Sequence, residues 1–177
     1  MRGCPPTALE VLAVVQACCR QMLEALSNLH GNDVYHCDIK PDNIILTRRG
    51  YFKLIDYGRM ATGEEYQLEH LSTDYASPDF LEEIERQKSL GKRLKANDLW
   101  MLGNVLLYLA LNPFVLLPLN VQGYVDYTEF WSVKDGVAYL PPAARDKLGE
   151  EEFDNIRGVL GRLYANDFNE RVSTENL

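Results

Sequence analysis

A chain of 177 residues is long enough for one compact domain with its own core. Its formal net charge of −8 argues against a nucleic-acid backbone as the main partner, and its 46% hydrophobic and 25% charged content are ordinary for a soluble globular protein. The four cysteines (Cys4, Cys18, Cys19, Cys37) show no paired metal-ligand spacing, and no secretory leader pattern opens the chain. That combination points to a reducing, intracellular and cytoplasmic setting.

Ala8 to Leu29 reads as the first helix. Leu9, Leu12, Val15, Cys19, Leu23 and Leu26 recur at steps of three and four, which predicts that this stripe faces the core. Thr7 is suited to cap its start and Gly31-Asn32 to stop it. Val34-Tyr35, Ile44 to Leu46 and Tyr51 to Ile55 are short β-type runs. Arg48-Arg49-Gly50 predicts a turn that pairs the last two as a hairpin. Gly58 to Ser77 is polar and aperiodic, so a loop is expected. Pro78 to Gln87 predicts a short helix, with Pro at its first turn, and Lys88 to Lys95 a basic connector.

Asn97 to Leu111 is apolar nearly all round, the pattern of a central buried helix. Asn104, Asn112, Pro113 and Pro118 interrupt Leu102 to Leu119, which favours a buried helix and loop over a membrane span. Irregular structure is expected through Pro142, with one helical turn near Thr128 to Trp131. Glu150 to Tyr164 is a last amphipathic helix. The whole reads as a mostly helical α+β domain with a minor β-hairpin.

The chemistry concentrates in His36-Cys37-Asp38-Ile39-Lys40-Pro41-Asp42-Asn43, followed by Asp56-Tyr57-Gly58. A single Asp or Asn in a loop is ordinarily a turn former; what stands out is the conjunction of Asp38, Lys40, Asn43 and Asp56 around predicted strands. These motifs resemble the catalytic loop and the Asp-Phe-Gly motif of protein kinases of the Ser/Thr type. The resemblance implies that Asp38 orients the acceptor hydroxyl and that Lys40 steadies the transferred phosphate. It implies that Asn43 and Asp56 hold magnesium on ATP, that Ile45 floors the adenine pocket, and that Gly58 turns the chain into the activation segment.

Further segments carry the same likeness. Tyr75-Ala76-Ser77-Pro78-Asp79 resembles the end of the activation segment, with Ser72 at the position of the family's Ser/Thr contact to the catalytic loop. Asp98 matches a buried Asp that would accept backbone N–H bonds from the catalytic loop, with His36 as a further structural residue. Arg171, in Asp167-Phe168-Asn169-Glu170-Arg171, would pair with Asp79. Because Asp is one methylene shorter than Glu, that pair is expected to be strained or water-bridged.

Two departures qualify the likeness. Cys37 stands where most members carry an Arg that binds a phosphate on the activation segment. A neutral thiol cannot do this, so activity is expected not to depend on that phosphorylation. Cys37 itself is expected to be half-buried and neutral, with a redox-sensitive thiol as the other reading. The second departure is the absence of Gly-x-Gly-x-x-Gly, with nothing before Ala8 long enough for a five-stranded lobe. The likeness thus covers only the large (C-terminal) lobe, as one partial domain over 1–177, with the N-lobe absent. The expected function is a Ser/Thr kinase catalytic lobe using ATP and Mg2+ on a protein substrate, in a piece of a longer kinase or with a partner chain supplying the small lobe. The chain alone is expected to be inactive or very weak, with no nucleic acid or membrane as partner. The rival reading is a pseudokinase-like interaction module, and a small-molecule kinase is a third.

Overall fold

The computed structural model describes residues 6–63, 75–85, 91–112, 133–134, 137–138, 140–165 and 171. Helix α1 (Ala8–His30) starts at a reciprocal cap: Thr7 Oγ1 accepts from the Glu10 N–H at 3.3 Å and Glu10 Oε2 accepts from the Thr7 N–H at 2.8 Å. The bonds that the Glu10 carboxylate accepts, from the Thr7 N–H and from the Thr7 hydroxyl at 2.9 Å, hold it below its ordinary pKa. The helix ends at Gly31, whose N–H donates to the Ser27 carbonyl at 2.9 Å.

Its buried face overlaps the expected one but is rotated from it. Val15, Leu23 and Leu26 of the expected stripe are buried, joined by Val11, Cys18 and Met22, while Leu9 is 68% exposed. Apolar residues lie on more than one side of this helix, so its own periodicity leaves the choice open. Packing against the central helix α3 makes it.

Helix α3 (Gly91–Leu111) is that centre. Leu94, Leu99, Met101, Leu102, Leu106, Leu107 and Leu111 are all buried along it. It begins six residues before the expected Asn97, taking Gly91 to Lys95 from the predicted basic connector. Gly103 lets another element come close: a Cβ there would lie 2.5 Å from Cε1 of Tyr164. Helix α5 (Glu150–Leu163) lies against α3 as well, and buries Phe153, Ile156 and Leu160. Helix α2 (Pro78–Glu85) forms as expected over its described part. Helix α4 (Pro142–Leu148), missed in the sequence, precedes α5 across Gly149, whose φ of 92° suits glycine.

Three small antiparallel sheets complete the described fold. Strands β2 (Ile44–Leu46) and β3 (Phe52–Leu54) form the expected hairpin, with Ile44 opposite Leu54. Strand β1 (Val34–Tyr35) pairs with β4 (Ala61–Thr62), inside the segment expected to be loop. Two residues are too few to show periodicity; the edge of β1 recruits them. Strands β5 (Val133–Lys134) and β6 (Val137–Ala138) likewise pair inside a stretch expected to be irregular. Ser72, the turn at Thr128 to Trp131 and Asp167 to Glu170 lie outside the described residues. No helix among the described residues is long and apolar enough to cross a membrane.

Candidate active site

The loop between β1 and β2 is held from beneath by α3. Asp98 is fully buried, and its Oδ1 accepts from the Cys37 N–H at 2.8 Å. Its Oδ2 accepts from the His36 N–H at 2.9 Å and from His30 Nε2 at 2.9 Å. A carboxylate only accepts, so His30 carries its proton on Nε2. Charge-assisted bonds to two successive backbone N–H groups set the path of the loop. They fix Cys37 at φ 62°, a left-handed conformation that a non-glycine residue adopts only when its surroundings impose it.

Cys37 is fully buried rather than half-buried, because this φ turns its side chain into the core. Burial and the nearby Asp98 push its thiol pKa well up, which opposes the redox-sensor reading. Burial likewise pushes Cys18 up to about 12.

Asp38 follows with a side chain 3% exposed. Lys40 Nζ donates to its Oδ2 at 3.0 Å and to its Oδ1 at 3.2 Å. The Asn43 amide donates to the Asp38 carbonyl and to its Oδ2, both at 2.8 Å. Asn43 closes a single 3-10 turn (Pro41–Asn43) that begins with Pro, so the chain reverses within a few residues and brings Asn43 back onto Asp38. With its NH2 committed to Asp38, the oxygen end of the Asn43 amide points the other way.

The hairpin then delivers the second motif. The Ile55 N–H donates to the Asn43 carbonyl at 2.9 Å, placing Asp56 one residue beyond Asn43's neighbour. His36 Nε2 lies 3.1 Å from the Ile55 carbonyl and its ring meets Tyr57 edge-on at 5.1 Å, so His36 ties the two motifs together. The chain turns at Gly58, as expected, inside a turn that the Met60 N–H closes onto the Tyr57 carbonyl, but the left-handed residue at the exit of β3 is Asp56, with φ 61°. Asp56 tolerates it because a short polar side chain can bond locally: its Oδ1 accepts from the Gly58 N–H at 3.3 Å. Ile45 is largely exposed on β2.

Asp38, Lys40, Asn43 and His36 thus meet in one cluster, with Asp56 beside it. Asp79 and Arg171 meet elsewhere. Arg171 Nη2 donates directly to Asp79 Oδ1 at 2.6 Å, where strain or a bridging water was expected. Arg171 comes to the shorter side chain because other bonds bring it there. Its Nε donates to the Ala165 carbonyl at 3.0 Å, and its Nη1 to Ser77 Oγ and the Ala96 carbonyl, both at 3.4 Å. Its guanidinium also lies over the Trp100 ring, 4.8 Å from the centroid.

Several residues escaped sequence reasoning. Arg59 Nη1 donates to Asp38 Oδ1 at 3.4 Å. Asn97 Oδ1 accepts from the Ser77 N–H at 2.9 Å, and the Asn104 amide donates to the Tyr75 carbonyl at 3.2 Å while its oxygen accepts from the Tyr164 hydroxyl at 2.6 Å. The available signal was that Asn97 and Asn104 stand seven apart, on one face of a helix otherwise apolar all round. A cavity of about 600 Å3 lies away from this cluster, lined by Leu12, Cys19 and Leu23 of α1 with Ile156 and Val159 of α5. It is mostly apolar and holds none of the charged groups described above.

Two oxygen donors, the Asn43 amide oxygen and the Asp56 carboxylate, suit a hard cation that keeps most of its shell from water and substrate phosphates, as Mg2+ does. The residues present therefore fit magnesium brought with a nucleotide.

Comparison with known proteins agrees. The family model described as Protein kinase domain matches residues 11–177. The putative 3-phosphoinositide-dependent protein kinase 2 of Homo sapiens is 30% identical over 174 residues, covering 89% of this chain and 41% of the relative. The 3-phosphoinositide-dependent protein kinase 1 of Homo sapiens is also 30% identical over 174 residues, covering 29% of that protein. The Rho-associated protein kinase let-502 of Caenorhabditis briggsae is 29% identical over 167 residues, covering 83% of this chain and 14% of the relative. The chain spans less than half the length of each of these relatives. With the loop, the hairpin and the buried Asp98 arranged as described, this chain belongs to the protein kinase family.

Proposed function

We propose that the chain is the catalytic large lobe of a Ser/Thr protein kinase, transferring the γ-phosphate of ATP to a protein hydroxyl. The observation that carries this is the junction of Asp38, Lys40 and Asn43 with Asp56 across one hairpin. Asp38 accepts the hydrogen bond of the acceptor hydroxyl and aligns it for attack. Lys40 offsets the charge of Asp38 and of the incoming phosphate. Asn43 and Asp56 would hold Mg2+, which when bound neutralises charge on the β- and γ-phosphates. Ser72 and Asp79 belong to the segment that receives the acceptor, and Ile45 to the floor beneath adenine. Cys37 offers no charge to an activation-segment phosphate, so activity is independent of such phosphorylation.

The small lobe comes from outside these residues, in the same polypeptide or a partner. Ile45, Leu46, Tyr51, Ile55, Tyr57 and Met60 are exposed on the hairpin and the turn after it, the kind of apolar surface that a covering element buries. Alone, the chain transfers phosphate inefficiently. The test is a chain supplied with a small lobe, compared with its Asp38→Asn and Asp56→Asn variants. Transfer that falls at least ~100-fold in each supports the reading, that being the low end for loss of such a group. No transfer, or transfer indifferent to both changes, leaves the non-catalytic interaction module instead.

A further inference from the structure

The carboxylate proposed to receive the acceptor hydroxyl has a second cation on it. Arg59 Nη1 lies 3.4 Å from Asp38 Oδ1, an oxygen it shares with Lys40 Nζ at 3.2 Å, while Oδ2 is engaged by both Lys40 and Asn43. Arg59 is held there by backbone on both sides. It sits inside the turn that the Met60 N–H closes onto the Tyr57 carbonyl at 3.2 Å; after it, Ala61 pairs with Tyr35 in the β1–β4 ladder. Asp38 is 3% exposed but Arg59 is 37% exposed, so the guanidinium covers the outward oxygen and itself faces solvent.

We infer that Arg59 is a specificity-determining residue, which favours acceptors carrying a carboxylate or phosphate next to the hydroxyl. This rests on the kinase reading of Asp38. A hydroxyl hydrogen-bonded to Oδ1 at about 2.7 Å lies within about 6 Å of the guanidinium. In an extended peptide that distance is spanned by a side chain one or two residues away. A neutral acceptor must compete with Arg59, as well as Lys40, for Oδ1. An acidic neighbour gives Arg59 another partner, and a fork of N–H donors matches a carboxylate well. The net charge of −8 would by itself suggest basic substrates, but net charge is an average over the surface and Arg59 stands at the site.

The test is peptide binding by the 177-residue chain, followed through side-chain nitrogen NMR of Arg59. Two serine peptides are compared, one with Glu on both sides of the serine and one with Gln. The Glu peptide is expected to bind about two- to fivefold more tightly, the range for a partly exposed ion pair, and to shift the Arg59 signal. Arg59→Ala brings the ratio close to unity, Arg59→Lys keeps part of it, and added salt lowers it in the original chain. A merely structural role for Arg59 would weaken both peptides alike. Equal affinity for the two peptides, binding of neither, or a ratio unchanged in Arg59→Ala overturns the inference. Failure of the kinase reading is separate: it is an acidic preference in binding without any transfer once a small lobe is supplied.

Discussion

Replacing Asp98 with Asn keeps shape and removes charge, so it isolates what the carboxylate does for the catalytic loop. Asp98 takes three donors, at 2.8 Å from Cys37 and 2.9 Å from both His36 and His30. An Asn has one acceptor oxygen. In its better orientation that oxygen serves the two donors now on Oδ2, and its NH2 faces the Cys37 N–H. One charge-assisted bond is lost, worth about 1.5–3 kcal/mol, and a buried donor is left unsatisfied at a further ~1–3 kcal/mol. The same bond helps offset the left-handed backbone of Cys37, which costs about 1–2 kcal/mol. The expected loss is therefore about 3–5 kcal/mol, a large share of the roughly 5–15 kcal/mol available to a domain. Urea unfolding followed by circular dichroism measures it, given an unchanged denaturant slope. Hydrogen exchange should speed up at the Cys37 amide more than at His36. A loss below about 1 kcal/mol with unchanged Cys37 protection would refute the view that Asp98 sets the loop.

Arg171→Ala should cost about 3–5 kcal/mol in the same assay, because it removes a buried guanidinium from Asp79, from the Ala165 carbonyl and from the face of Trp100; a cost within that of an ordinary surface pair would mean Asp79 is already satisfied by water. Gly103→Ala should destabilise by about 1–3 kcal/mol through overpacking against Tyr164, and Tyr164→Leu in the same chain should recover part of it. Stability should fall above about pH 9, where the unfolded thiols ionise while Cys18 and Cys37, their pKa values raised by burial, keep their protons. Here the folded state binds more protons, so the stabilisation present below the unfolded pKa is lost as pH rises toward the folded one. Melting temperatures at pH 8 and pH 10 check this, and a Cys18→Ala, Cys37→Ala chain should lose less between them.

The sequence by itself determined the candidate site residues and the local elements that carry them. Asp38, Lys40, Asn43 and Asp56 are legible because their order and spacing are linear facts. The capped α1, the β2–β3 hairpin and the buried α3 follow from caps, turn residues and periodicity, which act over a few residues. Only the tertiary structure decided which face of α1 is buried, that Thr62 and Ala61 pair with Val34 and Tyr35, and that Cys37 turns inward. It also decided that Arg59 rests on the carboxylate 21 residues before it and that Arg171 reaches Asp79, 92 residues away, without a gap. Each of these is a contact between segments distant in the chain, set by what the rest of the core leaves room for. Neither propensity nor spacing within one segment contains that information.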